Sequence, residues 1–506
     1  MNESSFLPIV HNKPVSRAAI PRMEMPAFRS AIIEALARGS RIAALFACPD
    51  HADRLELVAI LADDSRGILS AAAAPAGNSY PALTPDCPQA HWFEREIAEQ
   101  WAIVPEGHPW LKPIRFHAPW AADRAPVFET GVPGATDYFR VEGEDIHEVA
   151  VGPVHAGIIE PGHFRFQCHG ENVLHLEIEL GYQHRGIERR LLGGPGHRTI
   201  HYIETSAGDS TIAHCTAYCH LLEALGAPLP GAGEQAMRGI ALELERLANH
   251  TGDLGALAGD IGFLPTASYC GRIRGDWLNM TALLCGNRFG RGLIRPGGTG
   301  CYPKPSALKE LGQRLDAAER DTTGAVELLW RTGSVMARFE ERGQLDAGAA
   351  QALGLVGPPA RACGLARDAR QDFPSGIFRY AQIPVSTWGS GDVFARAFVR
   401  WLEIQRSTAF IREQIPMLGD DSAGAVSSRL DAFTPDSMAV ALVEGWRGEI
   451  CHVAITDARG TFACYKIIDP SFHNWFGLAV AMRGEQISDF PLCNKSFNLS
   501  YCGHDL

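Results

Sequence analysis

Ile467-Ile468-Asp469-Pro470-Ser471-Phe472-His473-Asn474-Trp475, continued by Asp489-Phe490-Pro491-Leu492 and by Asn494-Lys495-Ser496-Phe497-Asn498-Leu499-Ser500-Tyr501, is the stretch on which the reading of this chain turns. Two isoleucines running into Asp-Pro mark a strand that ends at a forced turn, because proline has no N–H to give a sheet ladder. Trp475, Leu478, Ala479 and Met482 then recur at helical spacing. The last forty residues therefore read as packed structure. On pattern alone an ordinary terminal helix with a docked extension would look the same.

With 506 residues, 46% hydrophobic and 21% charged, the chain is long enough for two or three domains with substantial cores. Acidic residues outnumber basic ones by 58 to 46, a formal charge of −12, which argues against a nucleic-acid-binding face. No apolar run approaches the ~18 residues needed to cross a bilayer, and the start MNESSFLPIV has no cationic segment followed by an apolar core. The expectation is a cytosolic chain that reaches a membrane only through partners. The 13 cysteines are scattered without a C-x-x-C, Cys215 and Cys219 being the closest spacing; they read as small buried hydrophobes rather than a metal or cluster site.

Along the chain, residues 1–24 are polar and proline-bearing, an arm expected to lie over the surface. Residues 25–116 carry an αβ pattern: Phe28–Leu36 helical, 42–48 and 55–61 as strands, then His91-Trp92-Phe93-Glu94-Arg95-Glu96-Ile97 and Gly107-His108-Pro109-Trp110. The Glu-Arg-Glu stretch reads as a helix with an ion-paired polar face. Residues 117–147, rich in Pro, Gly, Ala and acids, read as a linker. From 148 to 506 the pattern is mainly helical with a small β portion. Val151-Gly152-Pro153-Val154-His155 and Glu160-Pro161-Gly162-His163 suggest a hairpin. In His184-Arg185-Gly186-Ile187-Glu188, arginine and glutamate stand three apart and can pair on one helix face. Ala207, Ser210, Ala213-His214 and Thr216-Ala217-Tyr218 follow, then Glu444-Gly445-Trp446-Arg447-Gly448. The basic, glycine-rich run 287–298 lacks both G-x-x-x-x-G-K-[ST] and a G-x-G-x-x-G after a strand, which disfavours a phosphate cradle.

Taken together, residues 90–506 resemble the large-subunit family that joins membrane-bound group 4 [NiFe] hydrogenases, of the formate hydrogenlyase and hydrogenase-4 type, to the quinone-site subunit of respiratory complex I. The aromatic Glu-Arg-Glu helix and Gly-His-Pro turn resemble the complex I 30 kDa subunit, so the chain looks like fused 30 kDa and 49 kDa types. That implies an α+β fold: an N-terminal αβ docking domain, then a hydrogenase-large-subunit-like helical domain. In the hydrogenases four cysteines hold nickel and iron in Arg-x-Cys-Gly-x-Cys and Asp-Pro-Cys-x-x-Cys; the matching positions here are Ala207, Ser210, Ser471 and Asn474. Soft thiolates suit that centre; alanine has no donor and serine and asparagine are hard ones. The resemblance thus implies a lost nickel–iron site and no metal held by this chain.

By the same resemblance, a vacated cavity walled by His155, Glu160, Glu188, Arg447 and Asp469 would bind a quinone or another small electron acceptor, with His155 and Tyr218 as its contacts and acid groups supplying protons. Implied partners are an iron–sulfur small subunit holding the electron-donating cluster, a ferredoxin-like iron–sulfur subunit and membrane antiporter-like subunits. The implied place is the cytoplasmic side of the inner membrane, in an oxidoreductase that couples redox to ion translocation. The alternative is a non-catalytic coupling scaffold, which predicts a cavity filled by Phe472, Trp475 and Trp446. A hydrogenase using Cys215 or Cys464 as unusual ligands is a remote third reading.

Overall fold

A computed structural model describes residues 5–121, 124–129, 131–155, 159–418 and 433–506. Near-continuous apolar runs form β3 (Arg41–Pro49) and β4 (Leu55–Asp63), buried along almost their whole length, as strands covered on both faces are. With β1 (Leu7–Ile9) and β5 (Ile68–Pro75) they make an antiparallel sheet ordered β1-β5-β4-β3. Helix α1 (Met25–Ala37) buries Phe28, Ala31, Ile32 and Ala35. The parallel pair β6 (Ser79–Pro81) and β7 (Val104–Glu106) brackets α2 (His91–Trp101), which is buried on every side. The N-terminal arm is more than a surface cover: β1 pairs with β5, and β2 (Val15–Ser16) pairs with a strand near the other end of the chain.

Beyond 133, described residues form no helix or strand until β8 (Ile146–Val151), which lies in the sheet β10-β9-β8 with β9 (His163–His169) and β10 (Asn172–Glu179). Short helices α3 (Ile187–Leu191) and α4 (Thr199–Ile203) lead to α5 (Thr211–Leu225), α6 (Ala232–Asp260) and α7 (Leu264–Cys285). The small hairpin β11 (Ile294–Arg295) with β12 (Gly298–Thr299) precedes α8 (Pro305–Trp330), α9 (Gly333–Phe339), α10 (Ala347–Ala352), α11 (Gly357–Ala362), α12 (Ala369–Asp372) and α13 (Val393–Gln414). A second four-stranded sheet, β15-β14-β13-β2, is built on β13 (Ser437–Gly445), β14 (Gly448–Thr456) and β15 (Phe462–Ile468). The chain finishes with α14 (Pro470–Ala481), α15 (Phe490–Phe497) and α16 (Tyr501–Asp505). The fold is α+β.

Two complementary charged stripes hold the helical core. Glu243, Arg246, His250 and Asp253, spaced three and four apart, share one face of α6; Arg396, Arg400 and Glu403 share one face of α13. Glu403 accepts from Arg361 Nε at 2.9 Å, His250 Nε2 at 2.8 Å and Arg246 Nη1 at 3.3 Å, and Arg400 donates to Asp253 at 2.9 Å. Arg361 also reaches Glu444, and Arg370 pairs with both Glu243 and Asp368.

Further buried pairs join the N-terminal sheet to the rest. Arg41 bridges Asp64 and Glu449, and Lys466 on β15 sits between Glu96 of α2 at 2.6 Å and Glu188 of α3 at 2.9 Å. The last residues are tied into the fold: Asp505 accepts from Gly181 N and Gln183 N, and the His504 carbonyl accepts from Arg115.

Candidate functional site

The turn between β13 and β14 is only two residues, Trp446 and Arg447, since Gly445 and Gly448 are ladder partners. Gly448 takes φ 136°, and a Cβ there would lie 2.9 Å from Gly357, so glycine is required at this close approach. The turn fixes Arg447. Its Nη1 and Nη2 donate to the two carboxylate oxygens of Asp209, its Nε to the Asn498 carbonyl at 2.6 Å, and its guanidinium stacks 4.0 Å over Trp446. Burial opposes the charge, but Asp209 outweighs it, and Asp469 and Glu160 add to the effect; the Arg447 pKa lies above its usual value. Trp446 itself donates to the Asp209 carbonyl and is buried beneath the turn.

Arg447 opens onto a cavity of 620 Å³, within the range of small-molecule sites, about 300–1,000 Å³. One wall is the end of the β8–β9 hairpin, with Val151, His155, Ile159 and Glu160; a second is Gly208 and Asp209. A third is a single face of α6, where Asn249, Gly252, Asp253, Ala256 and Asp260 follow helical spacing. Arg274, Phe289 and the stretch from Phe490 to Cys502 close it, contributing Lys495, Asn498, Leu499 and Tyr501. His155 Nε2 lies 2.9 Å from the Gly162 carbonyl, and Glu160 accepts from Tyr501 N at 3.2 Å. Burial and the neighbouring Glu160 push the Cys502 thiol up to about 12, so it is not a thiolate near neutral pH.

Asp469 lies just behind this lining. It caps α14 by accepting from Ser471 N at 2.8 Å, and its other oxygen meets His214 Nε2 at 3.1 Å. Burial raises its pKa, but the His214 contact, Arg447 and the Ser471 side chain together lower it below the usual range. A Cβ on Gly503 would come within 2.7 Å of this carboxyl, so the terminal helix packs directly on it. From His214 a buried file continues: Nδ1 to His452 Nε2 at 3.1 Å, then His452 Nδ1 to Tyr465 Oη at 2.9 Å. Burial, with His214 beside it, keeps His452 well below its usual pKa and therefore neutral.

Of the residues singled out from sequence, His155, Glu160 and Arg447 line one cavity and Asp469 backs it. Glu188 does not line it. Its carboxylate accepts from Ile467 N at 2.9 Å and pairs with Lys466, while Arg185 donates to the Thr205, Ser206 and Cys502 carbonyls. The expected Arg185–Glu188 pair is not formed, because Arg185 precedes α3 and the two side chains face different elements. Tyr218 also lies away from the lining, 1% exposed on α5 beside Tyr465.

All four positions matched to the cysteines are buried. Ser471 Oγ accepts from Ser500 N at 2.8 Å, and Asn474 makes a reciprocal pair with the Val356 backbone, accepting from N at 3.1 Å and donating to O at 3.0 Å. Sequence reasoning gave no role to Asp209, Arg274, Lys495 or Tyr501. The spacing of Asn249, Gly252, Asp253, Ala256 and Asp260 was the signal available for the α6 wall.

In sequence, the chain fuses regions that match two respiratory-chain NADH dehydrogenase subunit families. Residues 27–133 match the model of the respiratory-chain NADH dehydrogenase 30 Kd subunit, and residues 260–432 match that of the 49 Kd subunit. Among curated relatives it is 28% identical over 438 residues to formate hydrogenlyase subunit 5 of Escherichia coli, covering 83% of this chain and 76% of the relative. It is 29% identical over 443 residues to hydrogenase-4 component G of Escherichia coli, covering 83% and 75%. Against the NADH-quinone oxidoreductase C/D protein of Bdellovibrio bacteriovorus it is 25% identical over 464 residues, covering 84% and 82%. The chain is an oxidoreductase-complex subunit of the hydrogenase-4 and complex I type. No helix among the described residues is long and apolar enough to cross a membrane.

Proposed function

We propose that this chain is the large subunit of a membrane-associated oxidoreductase in which the 620 Å³ cavity receives a quinone or another small electron acceptor and no nickel–iron centre is held. The carrying observation is the cavity beside Arg447. Phe472, Trp475 and Trp446, whose filling of the space would favour a scaffold, pack elsewhere: Phe472 against Phe93 and His504, Trp475 against Phe164 and Tyr501, Trp446 under Arg447.

The lining suits a ring with two polar ends, combining apolar Val151, Ile159, Phe289, Phe490 and Leu499 with His155, Glu160 and Arg447. A nickel–iron centre does not fit these residues. Ala207 offers no donor, the Ser471 hydroxyl already accepts from Ser500, and both ends of the Asn474 amide are committed to Val356.

In this reading Arg447 donates to an acceptor oxygen that gains negative charge on reduction, and Glu160 supplies protons with the Asp469 carboxylate behind it. The electrons come from an iron–sulfur cluster in a partner small subunit, itself fed by a ferredoxin-like iron–sulfur subunit. Antiporter-like membrane subunits hold the assembly at the cytoplasmic face of the inner membrane and use the redox energy to move ions.

Metal analysis and quinone reduction on the chain purified with whatever travels with it in mild detergent test this. Iron without nickel, with quinone reduction lost in His155→Ala, is the expected result. Nickel at about one per complex overturns it. Cavity variants that assemble and turn over normally favour the scaffold.

A further inference from the structure

The three charges of the Glu-Arg-Glu stretch on α2 meet different fates. Glu94 accepts from Leu83 N, Thr84 N and Thr84 Oγ1. Glu96 pairs with Arg115 and Lys466. Arg95, 6% exposed, has no carboxylate within ion-pair distance among the described residues. Its Nε and Nη2 donate to the Lys112 and Pro113 carbonyls, both at 2.8 Å, and its guanidinium lies 4.7 Å over the Trp92 ring. Nη1 has no partner among those residues.

A buried charge with no counter-ion in contact is costly, and burial draws the Arg95 pKa down to about 10 against the more distant Glu177, Glu179 and Glu99, which raise it. Arg95 borders a second cavity, of 590 Å³, lined by none of the residues that line the one beneath Arg447; it lies where α2 meets β10 and α14. Most of its wall is apolar, with Trp110, Phe139, Leu176, Ile178, Phe476 and Ala479. Three more lining groups are buried and unpartnered, His91 Nδ1, Trp92 Nε1 and Trp475 Nε1. Both indole nitrogens are donors only. The single carboxylate in the lining, Glu177, is already taken by Lys112 Nζ at 2.6 Å, Trp110 Nε1 at 2.8 Å and Phe139 N at 2.8 Å. What the cavity lacks is an acceptor.

We infer that this cavity is a binding site for an amphipathic carboxylate, its acid group paired with Arg95 and its apolar body held against Phe139, Ile178, Phe476 and Ala479. The inference stands apart from the acceptor proposed for the other cavity. Volume supports it, since small-molecule sites run from about 300 to 1,000 Å³, and so does the combination of an apolar enclosure with one charged anchor and neutral donors beside it.

The probe is 11-bromoundecanoate, titrated into the full chain with tryptophan fluorescence as readout, because bromine quenches indoles it touches and Trp92, Trp110 and Trp475 all line the site. Its neutral partner is 11-bromoundecanol. Saturable quenching is expected, with the acid binding about tenfold or more tightly than the alcohol, the scale of one charge-assisted contact. Arg95→Gln should erase that preference and leave the alcohol unchanged. Ala479→Phe, which fills the apolar end, should abolish both.

Arg95→Met, which keeps the stem's packing but takes the donors from the Lys112 and Pro113 carbonyls, should melt lower than the parent chain yet still unfold cooperatively, bind the alcohol and lose the preference, separating binding from folding. Equal binding of acid and alcohol, insensitivity to Arg95→Gln, or quenching that survives Ala479→Phe overturns the inference. So does absence of saturable quenching by either probe, a partner's side chain being then the occupant.

Discussion

Replacing Arg447 by methionine keeps a side chain of similar length and deletes the charge. A guanidinium has five N–H donors; three of those on Arg447 are committed, two to Asp209 and one to the Asn498 carbonyl, so two remain for a ligand in the cavity. A hydrogen bond to a charged group contributes about 1.5–3 kcal/mol. Losing one that strengthens as the acceptor is reduced should lower kcat/KM by about 10- to 150-fold, at 1.4 kcal/mol per tenfold.

The stability cost should be smaller than for a fully buried pair, about 1–3 kcal/mol, because the Asp209 side chain is 34% exposed and water can solvate it once the arginine is gone. The assay is quinone reduction by the detergent-purified assembly, beside chemical denaturation of the chain. Asp209→Asn supplies the control for position: it keeps the guanidinium but loosens its clamp, so KM should rise with kcat reduced less than in Arg447→Met. A fully assembled Arg447→Met complex with kcat/KM within about twofold of the parent would refute the reasoning, since no acceptor could then be meeting that guanidinium.

Truncation of Glu403 to alanine strips Arg361, Arg246 and His250 of a shared buried carboxylate and should cost about 3–5 kcal/mol in urea denaturation, with Glu403→Gln losing less. Asn474→Cys, made to reinstate a thiol, should destabilise by about 1–3 kcal/mol by orphaning the Val356 N–H and C=O, and should not bring nickel into the purified chain by metal analysis.

A pH effect follows from the buried charge cluster, in which Glu243, Asp368, Glu403 and Glu444 pair directly with Arg246, Arg361 and Arg370, while Arg400 and Arg406 act on Glu403 from further off. His250, also in contact, has its pKa lowered by burial despite the Glu403 hydrogen bond. Burial, opposed by Arg361 and reinforced by Asp368, pushes Glu444 up to about 7 from 4.5. The folded state then holds a proton that the unfolded state has released, so stability falls as pH rises from about 4.5 to 7, by up to about 1.4 kcal/mol per unit. Glu444→Gln should flatten that slope by one proton in denaturation midpoints measured across the window.

Local chemistry made several elements readable in the sequence. Ile467-Ile468-Asp469-Pro470 is a strand, a cap and a proline-started helix whichever way the chain is packed around it, and the structure has β15, the Asp469 cap and α14 there. Asp392 before Val393 is another such cap, accepting from Ala395 N. Partner choice was not readable in the same way. Glu188 looked ready to meet Arg185 three residues away, yet its true partner is Lys466, which arrives from the far end of the chain, while Gln100 approaches from α2. Spacing along a helix constrains only neighbours on that helix. It cannot weigh them against a strand that comes in across the sheet.

The same limit explains what the cavity reading included and what it missed. Arg447 was placed by the resemblance, and the two-residue turn between Gly445 and Gly448 holds it at the cavity. Tyr218 could not be placed, because α5 is buried on nearly all sides, so no period in its sequence tells a core tyrosine from a lining one. Asn249, Gly252, Asp253, Ala256 and Asp260 lie between these extremes: their spacing marks one face of α6, but Glu243, Arg246, His250 and Asp253 mark another polar face of the same helix that is wholly engaged by α13 and its neighbours. Asp253 belongs to both, holding Arg400 with one oxygen and Asn498 of the cavity wall with the other. A polar stripe that ends in the core and one that ends in a cavity differ only in the elements that reach them, and those elements, α13 and the segment from Phe490 to Cys502, lie more than a hundred residues further along the chain.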